Sequence, residues 1–513
     1  MSKFLKGMLI LLTAGLVTRI LGFLNRIVIA RSIGEEGVGL YMMAYPTFIL
    51  AVTITQFGIP VAISKRVAEA LALGQHDKVK RILVISLSIT LGLSFIFTPI
   101  LLVTTPFLAE TFFTDQRIMY PLLAIAPVTP IIAVSSVIRG YFQGTQNMRP
   151  SAISQIIEQV VRICFIGFLA KLFLPYGVEY AAGAAMAATI IGEFVALFYL
   201  LTMFKLKKAF PFRKKLWTSF HRGWDIAREL FPIAIPTLGS RLIGSVSWFL
   251  EPIIVTQALA ISGLASVQAT KQYGLLTGFA LPLLLLPSFF MNALSVSLVP
   301  AISEAKSLNN IALIDKRIQQ TIKFGVITGA LATVLLYQLN EPLLMFVYGS
   351  TNAAVFITIM APFIVFAYLQ APLQAILQAL DLANAAMINS LVGTIVKLAL
   401  FFFLASNPDF GIHGVALGII TGFVLVSFLH LATIMKVISF TIVVRDYLKI
   451  IIITLLTGFA GEKIWQIVND TSALLVKLAI TGGSMTFIYL LLLLVFQIIK
   501  GRDLWRMLAF FKK

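Results

Sequence analysis

Apolar runs long enough to cross a hydrocarbon layer recur from one end of this chain to the other, and they constrain its fold more than any other feature. A bilayer core about 30 Å thick takes about 20 apolar residues of helix. Runs of that kind fall at 5–30, 40–63, 82–104, 121–142, 152–173, 180–204, 230–252, 273–298, 322–340, 354–378, 388–406, 412–436, 447–468 and 473–499. They predict an all-α polytopic membrane protein of about fourteen transmembrane helices. The mean hydropathy of +0.97, with only 12% of residues charged, is too apolar for a soluble protein of 513 residues. Lys3, Lys6 and the run from Met8 to Val17 resemble a signal peptide. No small-residue cleavage site follows and the apolar pattern continues to Ala30, so the segment is read as a retained first helix. Cys164 is the single cysteine, which excludes an intrachain disulfide.

The net charge of +19 would point to nucleic acid in a soluble protein. Here its placement reads as topology. With the N-terminus in the cytoplasm, about 28 of the 40 Lys and Arg fall on that side, about 6 outside and about 6 within helices. The longest basic run is Lys205, Lys207, Lys208, Arg213, Lys214, Lys215, Arg222 and Arg228. Lys500, Arg502, Arg506, Lys512 and Lys513 put the C-terminus on the same side. The outer loops carry Glu35, Glu36, Glu110, Asp115, Glu341 and Asp409. The expected location is the cell membrane, with both termini cytoplasmic, lipid headgroups as neighbours and no nucleic-acid partner.

The chain repeats itself. Thr18-Arg19-Ile20-Leu21-Gly22 returns as Ser240-Arg241-Leu242-Ile243-Gly244, and Ile59-Pro60-Val61-Ala62-Ile63-Ser64 as Val299-Pro300-Ala301-Ile302-Ser303. Phe142-Gln143 through Arg162 matches Leu377-Gln378 through Lys397 at constant spacing, and Tyr176-Gly177-Val178 matches Phe410-Gly411-Ile412. The repeat predicts a six-helix lobe at 1–204, a basic linker at 205–229, a parallel six-helix lobe at 230–437, and two extra helices with a tail at 438–513. The segments after each proline, 65–81 and 304–321, mix apolar and charged residues at helical spacing. Short amphipathic helices on the inner surface are expected there.

Charges inside the apolar runs mark the candidate site. A charged residue at mid-membrane costs roughly 2.5–3.5 kcal/mol on insertion scales, and arginine cannot escape by deprotonating. Arg19 and Arg26 are seven residues apart, two turns, and share a helix face. Arg241 repeats Arg19, but Trp248 stands where Arg26 would recur. Glu158 and Arg162 form an i,i+4 pair in the favourable order. Lys397 repeats Arg162, with Gly393 in place of Glu158. Glu193 and Glu251 are the other candidate acids for coupling or gating. Arg139, near the inner end of its helix, is expected to snorkel to the interface. His413 and His430 are open to proton relay or to hydrogen-bonded packing. The excess within the membrane is basic, which suits an anionic substrate and guanidinium–phosphate recognition.

No phosphate-binding loop, nucleophile elbow, zinc-peptidase motif or Cys/His cluster is present in the sequence, so neither an enzyme nor a metal site is expected. No cofactor is implied. The energy source is then an ion gradient of Na⁺ or H⁺, the membrane potential or the substrate gradient.

Thr18 through Ala30, Gly34-Glu35-Glu36-Gly37-Val38-Gly39-Leu40-Tyr41, Gln56 through Lys65, and Arg139-Gly140-Tyr141-Phe142-Gln143-Gly144 resemble signatures of bacterial lipid-linked saccharide flippases. These are the lipid II flippase and polysaccharide-exporter families, which share the multidrug and toxic compound extrusion type fold; the match is strongest to a sporulation branch. The resemblance implies alternating-access transport of an undecaprenyl-pyrophosphate saccharide for spore cortex peptidoglycan, with cell-wall synthesis enzymes as possible partners. It implies that Arg19 and Arg26 hold the pyrophosphate, and it brings in Lys271 as a further basic residue. The alternatives are a cation-coupled drug exporter of the same fold, a membrane glycosyltransferase, for which the short outer loops carry too few acids, and a non-transporting scaffold for wall synthesis.

Overall fold

The computed structural model describes residues 3–207, 223–438, 443–468 and 473–499 of the chain. Most of the basic linker, from Lys208 to Arg222, and the tail from Lys500 lie outside the described residues. Every regular element among the described residues is helical.

Two compact units divide the chain, 1–278 and 279–513. In the first, α1 (Lys3–Gln56) is one helical stretch broken at Gly34, where φ is +68° and ψ −174°. Glycine alone adopts that conformation without strain. The break turns the expected spans 5–30 and 40–63 into two arms. Then follow α2 (Ile59–Ala72), α3 (His76–Thr111), α4 (Met119–Ile125), α5 (Val128–Gly144), α6 (Arg149–Phe173), α7 (Val178–Lys207), α8 (Gly223–Ile261) and α9 (Ser266–Gly274). A π-helical turn at Leu275–Ala280 leads into the second unit. That unit contains α10 (Leu281–Leu285), α11 (Ser288–Ser307), α12 (Ile311–Gln338), α13 (Asn340–Tyr348), α14 (Ala354–Met360), α15 (Ile364–Ala379), α16 (Ala383–Ala405), α17 (Gly411–Val437), α18 (Val444–Ile467) and α19 (Leu474–Val495).

Among the described residues, eleven helices are long and apolar enough to cross a membrane, or twelve if Gln116–Ile125 and Val128–Gly144, bent by 41°, make one span. The difference between eleven and fourteen has three sources: Thr13–Ala72 counts as one span, α6, which carries Glu158 and Arg162, is not among the eleven, and the bent pair is left out of them.

The amphipathic segments depart from expectation. In the first half the helix begins six residues early, at Ile59, with Pro60 in its first turn. It is also not a bare surface helix. Ile59, Ile63 and Val67 are buried against Val79 and Ile82 of α3, Val137 and Tyr141 of α5, and Leu230 and Ala234 of α8. In the second half no separate surface helix forms. α11 runs through Pro300 to Ser307, and α12 starts at Ile311. The residues before the two prolines explain the difference. Phe57 and Gly58 take φ of +51° and +66°, which stops α1 and redirects the chain. Leu298 occupies the position of Gly58, and a branched side chain resists the left-handed conformation, so the helix continues.

Gly58 also lies against backbone: a Cβ there would stand 2.3 Å from the Ala234 carbonyl oxygen. Gly58→Ala should therefore destabilise the first unit by about 2–5 kcal/mol through left-handed strain and overpacking. Thermal unfolding in detergent reads this as a lowered midpoint; an unchanged midpoint contradicts the packing described.

Candidate functional site

The first unit holds two kinds of arginine, and the partner of each guanidinium separates them. On α6, Glu158 and Arg162 sit one turn apart, and Arg162 Nη2 donates to Glu158 Oε1. Arg139 of α5 donates from Nη2 to Glu158 Oε2 at 3.0 Å and stands 3.5 Å from Oε2 of Glu193 on α7. Gly192 makes this convergence possible. A Cβ on it would meet the Glu158 carbonyl oxygen at 2.8 Å, so only glycine lets α7 come that close to α6. Two guanidinium and two carboxyl groups thus join three helices. The i,i+4 pair is as the spacing predicts. Arg139 does not snorkel: its side chain is 19% exposed and turns inward, because a carboxylate repays desolvation that an aliphatic wall does not.

Arg26 belongs to the second kind. It is half-buried, and Nη1 donates to the Met42 sulfur and to the Thr277 carbonyl oxygen, both at 3.4 Å. These are long contacts to neutral acceptors. Arg241 is exposed and donates to the neutral side chain of Gln56 at 3.3 Å. Arg19 is exposed, and among the described residues it makes no hydrogen bond or ion pair. Aromatic rings adjoin this region. Tyr41 stacks on Tyr45 at 6.0 Å, and Tyr45 meets Trp248 edge-on at 5.7 Å. Trp248, which replaces a second Arg26 in the repeat, therefore supplies a flat apolar face. Glu251 lies half-buried three residues further along α8.

Lys271 does not join Arg19 and Arg26. It pairs with Glu35 Oε2 at 3.2 Å, next to a second group of charges. Arg117 Nη1 bonds Glu36, and its Nη2 reaches Asp115 Oδ2 at 2.8 Å. The Thr270 hydroxyl donates to the same Oδ2 at 2.8 Å. Burial pushes the Asp115 carboxyl up, but the hydrogen bonds from Arg117 and Thr270 outweigh it and hold the group below the usual carboxylate range. Thr270, Asp115 and Arg117 carry no sequence signature of their own. Gly39 and Gly274, which bring their segments together, are the one local hint.

In the second unit, Lys397 lies 5.7 Å over the Phe401 ring and along Gly422 of α17. His430 is buried and 3.3 Å from the Asn389 side-chain nitrogen, a packing arrangement. Nδ1 of His413 has no hydrogen-bond partner among the described residues.

A sequence model of the polysaccharide biosynthesis protein family matches residues 4–306, more than half of the chain. Stage V sporulation protein B of Bacillus subtilis (strain 168) is 53% identical, over 98% of this chain and 98% of its own. Lipid II flippase MurJ of the same organism is 25% identical, over 100% of this chain and 99% of its own. The solved inward closed conformation of a lipid II flippase MurJ superposes with a TM-score of 0.71 at 15% identity, covering 96% of this chain and 98% of that one. The chain therefore belongs to the polysaccharide biosynthesis protein family and has the fold of a multi-pass membrane flippase.

Proposed function

We propose that this protein carries an undecaprenyl-pyrophosphate-linked saccharide, lipid II or a close relative, across the cell membrane by alternating access, and that the product feeds spore cortex peptidoglycan. One observation carries the reading. Arg26 holds its charge between neutral acceptors, while Arg139 and Arg162 are bound by carboxylates. A guanidinium without an internal anion is ready for a diphosphate, which it grips in forked, charge-assisted geometry. Arg19 and Arg241 extend the basic surface, and the Tyr45–Trp248 pair offers a face on which a sugar ring can stack. Lys397 is the second unit's own candidate for an anionic group. The sporulation relative and the lipid II flippase relative support the substrate class. The N- and C-termini are assigned to the cytoplasm on the lysine and arginine bias.

The cluster of Glu158, Arg162, Arg139 and Glu193 fixes the first half as a rigid wall rather than touching substrate. Glu158 and Glu193 are held by arginines, which weighs against an exporter that needs free acids for organic cations. A non-transporting scaffold differs from this reading in a single observable, movement of the lipid.

The test is translocation of labelled lipid II in liposomes under imposed sodium, proton and potential gradients. The wild type should translocate under at least one gradient, and Arg26→Ala should lower the rate at least tenfold, the equivalent of about 1.4 kcal/mol, while inserting normally. Arg26→Lys should recover part of the loss, because it keeps the charge but not the fork. No protein-dependent translocation under any gradient, or a fully active Arg26→Ala, overturns the assignment. Glu158→Ala behaves differently: it strands the buried Arg162 guanidinium and leaves Arg139 only Glu193 at 3.5 Å, and should cost about 3–5 kcal/mol of stability, seen as a lowered unfolding midpoint.

A further inference from the structure

A short piece of helix runs from the Lys271–Glu35 pair beside the Gly34 turn to the Thr277 carbonyl that Arg26 holds. α9 is only nine residues long and gives way to the π-helical turn at Leu275–Ala280. Such turns interrupt the regular hydrogen-bond ladder and recur at functional sites. This piece runs along the beginning of the second arm of α1. A Cβ on Gly39 would lie 2.1 Å from the Thr270 carbonyl oxygen, one on Gly274 2.6 Å from the Gly39 nitrogen, and one on Gly278 2.1 Å from Val38 Cγ1. The backbones meet through glycine, while Ala269, Thr270, Tyr273 and Leu276 of the same piece are buried, so its release would expose them.

Three polar links fasten the piece along its length. Thr270 bonds the buried Asp115 carboxylate, which Arg117 braces against Glu36. Lys271 pairs with Glu35. Arg26 bonds the Thr277 carbonyl. The first two lie at the Gly34 end, and the third lies at the candidate site.

We propose that Ser266–Thr277 is a latch over the Arg26 site, and that an anionic diphosphate headgroup releases it by taking Arg26 away from the Thr277 carbonyl. This rests on the reading of Arg26 as the diphosphate ligand. Phosphate oxygens outcompete a neutral carbonyl at 3.4 Å for a guanidinium. A ligand that binds only the freed arginine shifts the population toward the unlatched state. Lys271 then works through Glu35 on the latch and makes no direct phosphate contact. Occupancy of the site and opening on the Gly34 side become one event.

Thiol accessibility tests this in the full-length protein. With Cys164→Ser as background, Thr277→Cys is exposed in intact cells to a membrane-impermeant maleimide. Thr270→Val and Lys271→Glu should each speed labelling about two- to tenfold, the equivalent of losing one hydrogen bond. Adding Glu35→Lys to Lys271→Glu should restore the slow rate. In proteoliposomes, lipid II should speed labelling of the otherwise unmodified latch. Arg26→Ala should label fast with or without lipid II. Labelling indifferent to both Thr270→Val and Lys271→Glu overturns the latch even in a protein that translocates lipid II. Fast labelling of those variants in a protein that never translocates lipid II retains the latch and removes the flippase reading.

Discussion

The architecture of the first unit depends on how each arginine is answered inside a low-dielectric layer. Guanidinium keeps its proton, so a carboxylate, a polar partner or water must meet its charge. Glu158 meets two of them. Through Arg139 and Arg162, and with Glu193 beside them, it ties α5, α6 and α7 into one body. Without that carboxylate Arg162 of α6 would lose its carboxylate partner and Arg139 would keep only Glu193 at 3.5 Å. Among the described residues Arg26 meets neutral acceptors and no carboxylate, and the contrast between these two situations is the basis of the functional reading.

The duplicated half shows what happens when the acid is absent. Gly393 replaces Glu158 and Lys397 replaces Arg162. Lys397 lies over an aromatic ring instead, and a Cβ on Gly393 would fall 2.1 Å from Val426 Cγ2, so α16 and α17 approach through small residues and aliphatic contact. One ancestral pattern thus gives an ionic join at Glu158 in the first half and, at Gly393, an aliphatic contact with Val426 in the second. Sequence similarity between the halves is therefore a guide to topology and a poor guide to charge.

Local features were legible in the sequence, and those that depend on tertiary approach were not. The apolar runs and the Glu158–Arg162 spacing need only helical periodicity, and they led to the right elements. The partnership of Arg139 with Glu158 needs α5 to cross α6 at a specific height, and its position near a helix end favoured the interface instead. The second amphipathic segment failed for a one-residue reason, Leu298 where the first half has Gly58. The family resemblance brings in Lys271 as a further basic residue, whereas its pairing with Glu35 depends on the glycine-lined contact between α9 and the second arm of α1, which the sequence does not display. The helix count is blurred at three places: Thr13–Ala72, which counts as one span, charged α6, and the 41° bend before Val128.

A transporter of this construction separates its charges by task. Neutral ion clusters hold helices together, and an uncompensated arginine waits for a ligand whose charge completes it. The most direct test of that claim is binding itself. Native mass spectrometry of the detergent-solubilised protein should retain an undecaprenyl pyrophosphate lipid in preference to the same lipid lacking phosphate, and Arg26→Ala should abolish the preference. Equal retention of both lipids by the wild type, or an undiminished preference in Arg26→Ala, would contradict the account.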